Sequence, residues 1–340
     1  MFRINYILVY FLLVSCSKSS SPAQSPVNPP VLTPGRIINV LTAAQLSSAL
    51  LNAQPGDDII MADGLYKGKF VITSAVSGTN AKPITLRGSR NAVLDAENIN
   101  TGYVLYLQAN YWKIKGFTIT NGLKGLMTDG ANHNVIDSIK VFNIGEEAIH
   151  LRRFSSHNTI QFAEISNTGL KTPDYGEGIY IGSAESNWAT YTNGIADRCD
   201  SNKILHNKIG PNVTVESIDI KEGTTGGYIG YNYFDATGIT GIHYGDSWID
   251  AKGNYYLLEN NTGFNPAGSA LLDGYQVHVA ASGWGNYNVF KNNSSTVNAA
   301  GFGFNIQLSG SNGTSTGNKV YTNNTVTGAV SGIANIPLSN

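Results

Sequence analysis

The chain has 340 residues, of which 41% are hydrophobic and 13% charged, so it can bury a large core as one long domain or two short ones. Its formal charge of -1 leaves no basic excess to neutralise a phosphate backbone, which argues against DNA or RNA as a partner.

In chain order, residues 1–15 open with Met1, Phe2 and Arg3 and continue as a mostly apolar run to Val14. That run is short for a bilayer span and has the shape of an export signal. It ends in "LVSC", Leu13 to Cys16, which resembles the bacterial lipobox, with cleavage before Cys16 and lipidation of that cysteine. An ordinary signal with an incidental cysteine is the competing reading. Residues 16–36 are rich in Ser and Pro and read as a tether. Ser17 follows the cysteine where inner-membrane retention favours Asp. The expectation is an exported lipoprotein of the outer membrane that touches the membrane only through its lipid. Cys199 is then the one cysteine of the folded part, so no internal disulfide forms, and with no partnering His motif it reads as a small buried residue.

The domain expected over 37–340 begins with a helical stretch. Thr42 is placed as N-cap with Gln45 in capping-box position, and Leu46, Leu50 and Leu51 share a face. No helical period follows Gly56. Instead an Asn pattern recurs as "NVIDSIKVFN", "NTIQFAEISN", "NKILHN", "NYYLLEN", "NVFKNN" and "NKVYTNN", interleaved with the alternating segments "AIHLR", "GIYIG", "SIDIK", "WIDAK", "YQVHV" and "FNIQL". Short strands separated by Asn and Gly turns predict an all-β fold, a single right-handed parallel β-helix solenoid closed at its N-terminal end by the short helix. Asn suits the corners because it tolerates left-handed backbone and its amide can ladder between coils. A hairpin-built sandwich is the alternative, and the two-residue turns it needs are missing.

Strand alternation turns Ile149, Leu151, Ile179, Ile181, Ile218, Ile220, Ile249, Ala251, Val277, Val279, Phe304 and Ile306 inward. The facing column is polar: His150 and Arg152, then Tyr180, then Asp219 and Lys221, then Trp248, Asp250 and Lys252, then Gln276 and His278, then Asn305 and Gln307. Such a column suits a lyase on an acidic polysaccharide: a base takes the proton alpha to a uronate carboxylate, a cation stabilises the enolate and an acid protonates the leaving oxygen. Lys221 fits the base if Arg152 and Lys252 depress its pKa, against the opposite pull of Asp219 and Asp250. Tyr180 would handle the second proton, while Arg152 or Lys252 grips the carboxylate. Solvated Asp–Lys pairs with no catalytic role are the plainer reading. Beside the column, "YGEGIYIGSAESNW" carries Glu177 and Trp188 and "ASGWGNYN" carries Trp284, whose aromatic faces suit sugar rings or simply pack their own turns.

The stretch Ala62–Gly88, with its "ADGLY" and "PITLR" segments, resembles the first coils of the chondroitinase B and alginate lyase family of pectate-lyase-like polysaccharide lyases. The resemblance covers most of residues 37 to 260. It implies a catalytic Lys at Lys221, five residues after Glu216, and places His243 where the family has a catalytic Arg, ahead of Tyr244, Gly245 and Asp246. It also implies a calcium ion as a candidate cofactor. Of the two Glu ligands of the family, the second is matched by Glu216 and the first falls on Thr214. Substrate contacts are expected from Glu177, Trp188, Asp219, Asp246, Trp248, Asp250, Lys252, His278 and Trp284, in a protein expected to act as a monomer. Two rivals stay open: a β-helix glycoside hydrolase using Asp219 and Asp250, and a non-catalytic carbohydrate-binding or adhesin β-helix.

Overall fold

The computed structural model describes residue 1 and residues 35–340 apart from 267. The expected export signal, Cys16 and nearly all of the tether lie outside the described residues.

The strands form one eleven-stranded and two ten-stranded parallel sheets, in which hydrogen-bonded neighbours are three elements apart along most of the chain. Each coil therefore gives one strand to each sheet, which is the expected solenoid. A lone antiparallel pair, Ser309–Gly310 with Gly313–Thr314, interrupts the last coils.

The N-terminal helix spans Ala43–Leu51. Its first turn closes as a reciprocal box: the Gln45 N–H donates to Thr42 Oγ1 at 3.2 Å and the Leu41 N–H to Gln45 Oε1 at 2.7 Å. Leu46, Ala49 and Leu50 face the coil, whereas Leu51 is exposed, because it falls about 100° round the helix from Leu50. The insertion after Gly182 contains one further short helix, Trp188–Tyr191, with no helical period long enough to show in sequence.

The asparagines divide two tasks that the sequence joined. Buried Asn207, Asn232, Asn261, Asn293 and Asn324 form an internal ladder, each Oδ1 from Asn232 onward accepting the backbone N–H of the Asn one coil earlier at 2.9–3.0 Å and that of Asn207 accepting from Ala163. Each Nδ2 also donates to a main-chain carbonyl, as Asn261 does to Ile229 at 3.0 Å. Asn134, Asn158 and Asn202 repeat the device at another corner. Left-handed corners fall to other residues, among them Asn143, Asn167 and Asn260, and to stacked aromatic rows such as Tyr111–His133–His157.

In the sheet that carries the polar column, Ile149, Ile179, Ile218, Ile249, Tyr275 and Phe304 align inward. Tyr275 thus joins a line that the sequence reading began at Val277. Trp248 is corrected more sharply. It is fully buried, edge-on to Tyr275 with centroids 6.0 Å apart, and offers no face to a sugar. It precedes its strand, Ile249–Ala251, so strand alternation does not govern it. Space for the indole comes from Gly263, where a Cβ would lie 2.4 Å from the ring. Cys199 is buried and free, as expected.

Replacing Asn261 by Ala strands the Asn232 N–H and the Ile229 carbonyl inside the coil, and should cost about 3 kcal/mol in urea unfolding. Asn260→Gly, at a left-handed corner with φ 57°, should change stability by less than about 0.5 kcal/mol.

Candidate active site

Parallel register stacks Tyr180, Asp219 and Asp250 on consecutive rungs, with Lys221 and Lys252 two residues after the aspartates, just past the ends of their strands. At about 4.8 Å per rung, long side chains reach the carboxylates above and below. Asp219 accepts from Lys221 at 2.6 Å and from Lys252 at 2.7 Å, and Asp250 contacts Lys252 at 2.8 Å and His278 at 2.9 Å. The result is a chain of alternating charge along the floor of a cleft of about 440 Å³. Loop residues Tyr175, Asn187, His243 and Tyr244 form its walls.

These pairings set the electrostatics. Burial alone would lower Lys221, but Asp219, Glu177 and Glu222 outweigh it and hold its pKa above the ordinary lysine value. The expected depression by Arg152 and Lys252 does not occur. Arg152 is separated from Lys221 along its column by Gly182, whose φ of 88° begins the insertion and which puts no side chain into the row. Arg152 instead forks onto Asp129 at 2.7 and 2.9 Å and lies 4.0 Å from the Tyr191 ring centroid. For Asp250, burial pushes the carboxyl up, and Lys252 and His278 more than reverse it, leaving it well below the usual range. The His278 imidazole is raised above 6.5 chiefly by Asp250.

Tyr180 lies between His150 and Lys221, its ring 4.4 Å from the imidazole centroid and 4.8 Å from the Lys221 ammonium. Burial first, then Asp219 and Glu177, push its phenol well above 10, so it keeps its proton and is suited to give one up to a developing alkoxide. His243 sits at the rim, its side chain 70% exposed, with Nδ1 3.3 Å from Asp174 Oδ2. It closes a contact between two loops over the cleft rather than joining the floor.

Glu177, Glu216 and Asp219 bring carboxylate oxygens within 4.8 Å of one another. Among the described residues neither Glu177 nor Glu216 has an ion-pair partner, and Glu177 Oε2 is buried without a hydrogen bond. Burial and neighbouring acids raise Glu177 well above the usual range and Glu216 to about 8. An all-oxygen, like-charged set of this kind fits a hard divalent cation such as calcium. The match to Glu216 thus gains Glu177 from the rung before and Asp219 from its own, in place of Thr214, whose hydroxyl donates to the Pro173 carbonyl at 2.6 Å.

Three further expectations change. Trp188 does not line the cleft; its Nε1 donates to Ser183 O at 2.9 Å and its ring packs beside Gly223, stapling the insertion. Trp284 is half-buried in its own turn and also lies off the cleft. Asp246 accepts from Gln276 at 2.8 Å behind the floor. Glu222 is an anchor, accepting the Glu185 N–H at 2.5 Å. Sequence reasoning missed Tyr175 and Tyr244, exposed on loop tips with no periodic signal. It also missed a readable repeat: Glu147, Glu177 and Glu216 each stand two residues before an inward isoleucine, as "EAI", "EGI" and "ESI".

A family model described as "Pel9A-like, right handed beta helix region" matches residues 38–177. No curated protein matches the chain. Among solved structures, the alginate lyase from Paenibacillus sp. str. FPU-7 is 42% identical, with 88% of this chain and 99% of that one covered and a TM-score of 0.78. Pectate lyase Pel9A (15% identity, 86% and 78% covered, TM-score 0.62) and the family 28 exopolygalacturonase of Yersinia enterocolitica (14%, 87% and 67%, 0.55) share the fold alone. With that identity running over almost the whole Paenibacillus enzyme, the chain belongs to its family, the right-handed parallel β-helix polysaccharide lyases.

Proposed function

We propose that the protein cleaves a uronate-containing polysaccharide by β-elimination, with Lys221 and Tyr180 moving the two protons. The observation that carries this is the placement of a lysine, a proton-bearing phenol and a second lysine on adjacent rungs of one cleft floor. Alginate, named for the Paenibacillus relative, is the first polymer to try.

Lys252 and His278 are placed to bind the substrate carboxylate and so acidify the proton alpha to it. Lys221, whose ammonium Asp219 holds at 2.6 Å, first releases a proton to solvent, and the free amine takes the proton from carbon. Electrons of that C–H bond form the double bond as the glycosidic C–O bond breaks. Tyr180 protonates the departing oxygen and is recharged from the Lys221 ammonium, which lies 4.8 Å from its ring centroid. Tyr180 is favoured over His243 as the acid because it touches Lys221, whereas His243 is held at the rim by Asp174. A calcium ion bound by Glu177, Glu216 and Asp219 would supply positive charge beside the substrate carboxylate.

The hydrolase alternative needs a protonated carboxyl opposite a free one. Asp219 and Asp250 are each held by two cations, so that pair does not supply one.

Lys221→Ala and Tyr180→Phe should each lower kcat on alginate or another uronate polymer by about a hundredfold or more, while His243→Ala changes it less than about tenfold. The absorbance gain of unsaturated product measures all three. Unchanged turnover in Lys221→Ala would remove the lysine from the mechanism. Calcium at a hundredfold excess over its Kd should stabilise the wild type by about 2.7 kcal/mol, read as a rise in Tm, with no rise in Glu177→Gln/Glu216→Gln.

A further inference from the structure

The cleft continues toward the N-terminal rungs into a second depression of about 270 Å³, and Tyr175, Tyr180 and Asn187 line both. The elimination described above does not use it. Its composition differs from that of the central floor. Lys124 lies between Glu146, at 3.0 Å, and Glu147, and Arg152 is clamped by Asp129. Two cations therefore face three carboxylates, and both cations are already paired. In the central cleft Lys252 is paired too, with Asp219 and Asp250, but His278 is more than one-third exposed to the open space.

The walls of the depression carry Tyr103 and Tyr191, which with Tyr175 and Tyr180 put four tyrosines around a polar base. His150, 6% exposed, also lines it, and its buried Nδ1 has no hydrogen bond, with Glu147 Oε1 3.2 Å away. Paired carboxylates beside aromatic rings recognise sugar hydroxyls: the carboxylate accepts O–H bonds and the ring covers an apolar sugar face. A uronate carboxylate would meet Glu146 and Glu147 there, beside cations already paired to carboxylates. In a 1→4-linked uronate chain with near-twofold repeat, successive units turn opposite edges to one side. A unit whose carboxylate enters the central cleft is then followed by one that presents hydroxyls.

We propose that this depression is a saccharide subsite that holds the unit next to the cleaved one by its hydroxyl edge, through Glu146 and the rings of Tyr103 and Tyr191. The inference rests on the lyase reading of the central cleft. It assigns the N-terminal end of the cleft a recognition role for hydroxyls, separate from the carboxylate recognition at Lys252 and His278.

The test compares Glu146→Ala and Tyr191→Ala with wild type on size-defined uronate oligosaccharides, by kcat/KM and by calorimetric binding. Tyr191 stands on the inserted loop outside the coil, so its variant keeps the rungs intact. For each variant, kcat/KM should fall roughly tenfold more on oligosaccharides long enough to fill the depression than on the shortest one cleaved. A loss equal at all lengths, or none, overturns the subsite. If the wild type turns over no uronate oligosaccharide, the lyase reading fails and binding decides: weaker binding of long oligosaccharides by both variants supports the subsite, and equal binding, or none to wild type, overturns it.

Discussion

The structure depends on one constraint, the parallel in-register stacking of coils at about 4.8 Å. Inside the coil, the Asn207-to-Asn324 ladder fixes that register, because each carboxamide satisfies main-chain groups of the coil before it. Outside, the same spacing brings Asp219 within reach of two lysines and Asp250 within reach of a lysine and a histidine. Slipping one strand by a residue would turn Ile218 and Ile220 to solvent and bury Asp219 and Lys221 in the core. Fold and site are therefore set by one register.

Much of this was legible because both signals are periodic. Alternation in "SIDIK" and "WIDAK" puts Asp219, Lys221, Asp250 and Lys252 on one face, and the Asn repeats mark the coil. What alternation could not show lies before the strands and in the loops. Trp248 stands one residue outside its strand and turns inward to space left by Gly263. Trp188 is spent on fastening its own insertion, while Tyr175 and Tyr244 reach the cleft from loop tips. Charge was misread for a different reason. A depressed Lys221 depended on Arg152 and Lys252 lying beside it in the column, yet the groups that act on it most are carboxylates, and they hold it protonated.

The buried acids show how the fold concentrates unfavourable charge where chemistry can use it. Glu147 is neutralised by Lys124 beside it, so its carboxyl stays low, at about 2, despite full burial. One and two rungs on, Glu177 and Glu216 lack such a partner, and their carboxyls rise. The same position along the strand is thus a silent ion pair at one coil and a cation-ready site at the next. Perturbed groups gathered in one cleft are the physical mark of a functional centre.

The central claim, that the glycosidic bond is broken by elimination and not by water, is tested most directly by mass spectrometry of products formed in ¹⁸O-labelled water. Elimination takes no oxygen from solvent into the new ends, so the account predicts unsaturated oligosaccharides without label from the cleavage step, once slow anomeric exchange is subtracted. Saturated products carrying one labelled oxygen per cleavage would contradict it.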